Sequence, residues 1–149
     1  MTHSPAFDRR LNPSCYRPIA LGLAALALFM SAGKLSAAPL LRCQVTYAGT
    51  THAIEASPVA DPYLVTAVDI GGRFRFKAVM VGTADHIAYI KLYSYLETSR
   101  QPILIHESKY LPPFKASTAA MPFTGELHLY AGPVERELIT RCWLEGVPS

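Results

Sequence analysis

Residues 73–81 read RFRFKAVMV. Phe74, Phe76, Ala78 and Met80 fall on one side of an extended chain, and Arg73, Arg75 and Lys77 fall on the other. Successive side chains of a strand point to opposite faces. The stretch therefore predicts a strand with an apolar face toward a core and a basic face toward solvent. A helix needs apolar residues three and four apart, and no such pattern is sustained for ten residues after position 38.

The same reading extends in both directions. Ile87–Leu96 places Ala88, Ile90, Leu92 and Leu96 inward and Tyr89, Lys91, Tyr93 and Tyr95 outward. Gly82-Thr83-Ala84-Asp85 supplies the turn between these two strands. Upstream, Tyr63–Ile70 reads as a strand closed by a two-residue Gly71-Gly72 turn. Leu41–Tyr47 alternates with Cys43 facing inward, and Thr51–Ala56 follows after Ala48-Gly49-Thr50 as its hairpin partner. Downstream, Pro102–Leu111 is a strand expected to bulge near Glu107 and Ser108, where the alternation loses phase. Gly125–Tyr130 and Glu135–Leu144 complete the set. Pro112–Pro122 is a loop, with Phe114, Met121 and Phe123 expected to anchor it and Lys115–Ala120 as its tip.

Seven or eight short strands with Gly and Pro turns predict an all-β fold, a small two-layer antiparallel β-sandwich. An immunoglobulin-like strand order is one version of it, and a small β-barrel is the alternative.

The first 37 residues read differently. Arg9, Arg10 and Arg17 precede an apolar run from Ile19 to Met30, and a tract of mostly small residues follows from Ser31 to Ala38. This is the pattern of a signal peptide. The run is shorter than the roughly 20 residues that span a bilayer with ease. Cleavage after Ala37 avoids placing Pro39 just past the cut. The expected organisation is a leader over 1–37 and a single exported β domain over 38–149, in the periplasm or outside the cell. Contact with a membrane is expected only through the leader before cleavage. Leu11-Asn12-Pro13 after the paired arginines is a poor match to the twin-arginine route.

Removing the leader changes the charge argument. The chain has 14 basic and 11 acidic residues, net +3. The leader holds four of the basic residues and one of the acidic ones, which leaves ten of each. A neutral domain lacks the clustered cationic excess that nucleic-acid binding needs. The leader also removes Cys15. Cys43 and Cys142 remain as an even pair in an oxidising compartment, which predicts a disulfide between the first and last strands. Those strands must then lie side by side or face to face, and a bridge of the second kind would staple the layers.

Catalytic and metal motifs are absent from the sequence. His52, His86, His106 and His128 form no H-x-H, H-x-x-H or H-E-x-x-H pattern. A metal site would need them to converge from different strands, with Met80 or Met121 as a soft ligand. There is no G-x-S-x-G elbow, and nothing selects a catalytic set from Ser94, Ser99, Ser108, Asp69, Glu97 and Glu107. No cofactor motif is present.

The surface that stands out is basic and aromatic. Tyr89, Lys91, Tyr93 and Tyr95 on one strand would abut Arg73, Arg75 and Lys77 on the next. Tyrosine and arginine are enriched at binding hot spots. The expected function is an exported non-catalytic domain that binds a protein, a peptide or an envelope component. The alternatives are a small metal-binding protein using His and Met ligands, and a small hydrolase on a β-sandwich.

Overall fold

A computed structural model describes residues 37–147. The expected leader and its cleavage point lie outside the described residues, apart from Ala37. The strands are β1 Leu40–Tyr47, β2 Thr50–Ala56, β3 Pro58–Val59, β4 Val68–Ile70, β5 Phe74–Gly82, β6 Ile87–Leu96, β7 Ile103–Tyr110, β8 Glu126–Ala131 and β9 Arg136–Glu145. They form two sheets. The first has the order β2-β1-β9-β8. The second runs β5-β6-β7, with β3 and β4 sharing the other side of β5. β4 is antiparallel to β5 at Phe74–Phe76, and β3 is parallel to it at Met80–Val81. The fold is an all-β sandwich.

The alternating faces meet between the sheets. Leu41, Cys43 and Val45 of β1 and Leu138, Cys142 and Leu144 of β9 pack against Phe74, Phe76, Ala78 and Met80 of β5 and Ile90 and Leu92 of β6. All twelve are at most 5% exposed, so each of these strands buries one face and leaves the other at the surface.

Cys43 and Cys142 are bonded. They pair directly across β1 and β9. The bridge joins neighbours within one sheet and does not staple the two layers. In an immunoglobulin domain the bridge crosses between sheets. The Cys142 amide donates to Thr124 Oγ1 at 2.9 Å, on the side away from β1. The cysteines are therefore a non-hydrogen-bonded antiparallel pair, the closer of the two kinds, and their Cα atoms are 4.1 Å apart.

Several boundaries differ from the sequence reading, each for a local reason. Tyr63–Ile70 is not one strand. Asp61 accepts from the Tyr63 amide at 2.9 Å, and Pro62 opens a 3-10 turn over Pro62–Leu64. Asp followed by Pro is a helix-start signal, and here it takes Tyr63 and Leu64 from the expected strand, of which Val68–Ile70 remains as β4. Arg73 is not on β5. Its amide donates to the Ile70 carbonyl at 3.3 Å, so the connection is Gly71-Gly72-Arg73 rather than two glycines.

Both β6 and β7 bulge. Val81 pairs with Tyr89 and Gly82 with Ile87, which leaves Ala88 as the extra residue. Ala88 is consequently exposed and not in the core, while Ile87 turns inward and is 7% exposed. Gly82 is required there, because a Cβ would lie 2.2 Å from the His86 carbonyl oxygen. On β7 the register shifts between Ser94–His106 and Tyr95–Leu104. The bulge is at Ile105, not at Glu107 and Ser108. Any insertion between Ile105 and Tyr110 would explain the lost phase, and only the pairing with β6 locates it.

The loop after β7 is bound to the first sheet. Ser117 exchanges two hydrogen bonds with Leu144, its amide to the carbonyl and its Oγ from the amide, both at 2.9 Å. Thr124 does the same work at Cys142. Together they continue the edge of β9 beyond the end of β8. Phe114 and Phe123 pack on the core as expected. Met121 does not anchor the loop; it is 77% exposed.

Candidate functional site

The outer face of the second sheet is a grid set by strand register. Arg75 lies beside Tyr95, Lys77 beside Tyr93, Val79 beside Lys91 and Val81 beside Tyr89. β7 adds Leu104 beside Tyr95, Glu107 beside Tyr93 and Lys109 beside Lys91. Aromatic residues thus form a central column along β6, with cations on both sides.

The side chains interlock. The Tyr93 and Tyr95 rings are nearly parallel, 17° apart, with centroids 6.3 Å apart. The Lys77 and Lys91 ammonium groups lie 5.9 and 5.5 Å from the Tyr93 ring centre. Lys109 lies 5.0 Å from the Tyr89 ring. These are cation–π distances. Lys91 also bonds Glu107 at 2.5 Å. That hydrogen bond, together with one to Tyr93, raises the Lys91 pKa above its ordinary value. Arg75 grips Glu97 through two nitrogens at 2.5 and 3.2 Å. Partial burial, then the neighbouring Tyr93 and Glu107, push the Tyr95 phenol up.

A small pocket of about 150 Å³ opens in this grid. Val79 is its floor; Lys77, Tyr89, Lys91 and Tyr93 are its walls; the Pro62–Tyr63 turn is its roof. Val79 points away from the core, yet it is only 1% exposed, because the chain between β3 and β4 crosses over it. The same turn thrusts Tyr63 and Leu64 into solvent, at 90% and 80% exposure.

Lys77, Tyr89, Lys91 and Tyr93 are therefore brought together. Arg75 and Tyr95 form the adjoining row. Arg73 stands apart in the β4–β5 turn. Sequence reasoning missed the floor, the roof and the β7 contribution. Glu107 and Lys109 carry a usable signal, since residues two apart share a strand face. Nothing near Tyr63 in the sequence marks it as a neighbour of Lys77.

The opposite outer face, on the first sheet, is a contrasting case. Arg42 pairs with both Glu55 and Glu145, and Trp143 donates to Glu145 at 2.9 Å. Arg141 bonds Gln44 at 2.7 Å and lies 3.8 Å from Glu126. His128 sits between Glu137 at 2.7 Å and Glu126 at 3.2 Å, and Tyr130 donates to Glu137 at 2.7 Å. The hydrogen bonds to Glu137 and then Glu126 raise the His128 pKa, and those from His128 and Tyr130 lower that of Glu137. This face satisfies its charges internally. On the second sheet, among the described residues, Lys77 and Lys109 have no carboxylate in ion-pair contact.

The histidines do not converge. His52 is on β2, His86 in the β5–β6 turn, His106 on β7 and His128 on β8. Met80 is fully buried in the core. Among the described residues no three His, Cys, Asp or Glu side chains form a metal-binding group. A cleft of about 340 Å³ at one end of the sandwich, next to Phe114 and Val147, holds one carboxylate, Asp85, and one imidazole, His86. No helix among the described residues is long and apolar enough to cross a membrane. Compared with known proteins, the chain matches no family model, no curated protein and no solved structure.

Proposed function

We propose that this is an exported, non-catalytic binding domain that acts in the periplasm or outside the cell. It holds a protein, a peptide or another envelope component on the outer face of β5-β6-β7. One contrast carries this reading. The two outer faces are both charged, but among the described residues it is the second-sheet face that leaves cations without carboxylate partners beside a column of half-buried tyrosines. Rigid tyrosines supply contact area at low entropic cost, and unpaired charges supply complementarity. The Cys43–Cys142 bridge supports an oxidising compartment. No comparable grouping favours the metal or hydrolase alternatives among the described residues.

Site-specific photocrosslinking in intact cells tests the proposal. A photoreactive residue at position 95 should yield a discrete adduct. One at Thr46, on the outer face of the first sheet, should not. Equal adducts from both positions, or none from position 95, would refute the assignment.

A further inference from the structure

We propose that the pocket over Val79 is a site for a phosphate group, held by Lys77 and Lys91 between Tyr89 and Tyr93. The proposal rests on the reading of this face as the binding face and names the chemistry it takes. Two lysines line one small pocket, and their ammonium groups lie 5.9 and 5.5 Å from the ring centre of Tyr93, which lines it too. Glu107 neutralises only Lys91, and Lys77 has no carboxylate in ion-pair contact among the described residues. Lys109, behind Tyr89 at 5.0 Å, adds a third ammonium that is likewise unpaired among the described residues. Positive charge is in excess there, beside the buried Val79 and the Pro62–Tyr63 turn. Lysine presents a rotatable point charge with three donors, which suits the oxygens of a phosphate. The nearby guanidinium of Arg75, whose planar fork suits a carboxylate, is already closed on Glu97.

The phosphate can be a free ion or the headgroup of an anionic lipid. Tyr63 and Leu64 favour the headgroup. They stand exposed on the roof turn, beside the pocket mouth. A tyrosine and a leucine projecting next to a cationic site suit the boundary between headgroups and acyl chains. This extends membrane contact beyond the leader, where the sequence alone placed it.

The purified, oxidised protein tests the site. Inorganic phosphate should move the amide resonances of Lys77, Tyr89, Lys91 and Tyr93 saturably, and sodium chloride at equal ionic strength should not. Lys77→Gln should weaken the effect at least about tenfold, the loss expected for a bond to a charged group. Arg136→Gln, on the first sheet, should leave it unchanged. Vesicles of phosphatidylglycerol should retain the protein, and vesicles of phosphatidylcholine should not. Saturable shifts with no vesicle preference support the site with free phosphate as ligand. Retention on phosphatidylglycerol that Lys77→Gln abolishes supports the headgroup. No shift beyond the chloride control together with no vesicle preference overturns the site. So does vesicle retention that Lys77→Gln leaves intact. An adduct from position 95 that survives both phosphate and Lys77→Gln overturns the phosphate site while leaving the binding face standing.

Discussion

Replacing Cys43 and Cys142 together by alanine removes a bridge whose ends are 99 residues apart in sequence. Alanine is the right probe. Both cysteines are at most 1% exposed, so serine would bury a hydroxyl among apolar neighbours and add a cost of its own. The native sheet does not need the bond to set its register, because β1 and β9 pair continuously from Leu40–Glu145 to Tyr47–Leu138. The loss therefore falls mainly on the unfolded chain, which regains the freedom of a loop near a hundred residues. The chain-entropy treatment puts that at roughly 4.7 kcal/mol at 25 °C. With roughly 110 ordered residues at about 2.1 cal/mol/K each, the unfolding entropy is about 0.23 kcal/mol/K, so Tm should fall by about 20 °C. Thermal melts followed by circular dichroism read this directly. The spectrum at 10 °C should match that of the parent, whose oxidation is first verified by mass. A fall of less than about 5 °C from a fully oxidised parent would refute the argument that the bridge acts by closing a long loop.

Three further outcomes follow from particular residues. Gly82→Ala places a Cβ against the His86 carbonyl at 2.2 Å, and the backbone must shift. Denaturant titration should show a loss of about 2–3 kcal/mol. His128 should titrate above the ordinary histidine value of about 6.5, and Glu137→Gln should bring it back down, in an NMR titration. The linkage has a definite sign. Because the folded pKa of His128 is raised, its contribution is present below the unfolded value and is lost as pH rises through the folded one. Because that of Glu137 is lowered, its contribution is present above the unfolded value and is lost as pH falls through the folded one. A His128 that titrates at or below the ordinary value would refute the pairing. Ser117→Ala removes the hydroxyl that accepts from the Leu144 amide, and should cost about 1 kcal/mol and speed amide exchange at Leu144.

The β5 stretch shows how far the sequence reaches. Phe74, Phe76, Ala78 and Met80 are buried as the alternation predicts, and Arg75 and Lys77 face out. Val79 is the exception on the same strand. It is outward by period and buried in fact, because a segment some fifteen residues earlier crosses it. Likewise Ile87 and Ala88 exchange roles because a bulge inserts one residue opposite Gly82.

The sequence by itself determined the class of fold, the inward set on most strands, and the identity of the bridged cysteines. Each of these depends on a local property, the two-residue period of an extended chain, or on simple counting. The tertiary structure decided which strands are neighbours, where each bulge falls, and that the bridge lies within one sheet. It also decided which surface charges find partners. Arg42, Arg141 and His128 are neutralised by residues brought in by β2, β8 and β9, while Lys77 meets a tyrosine and another lysine. Partnering across a sheet depends on register between segments tens of residues apart. The proposed binding face was therefore legible as a row of Tyr, Lys and Arg, and the pocket within it was not.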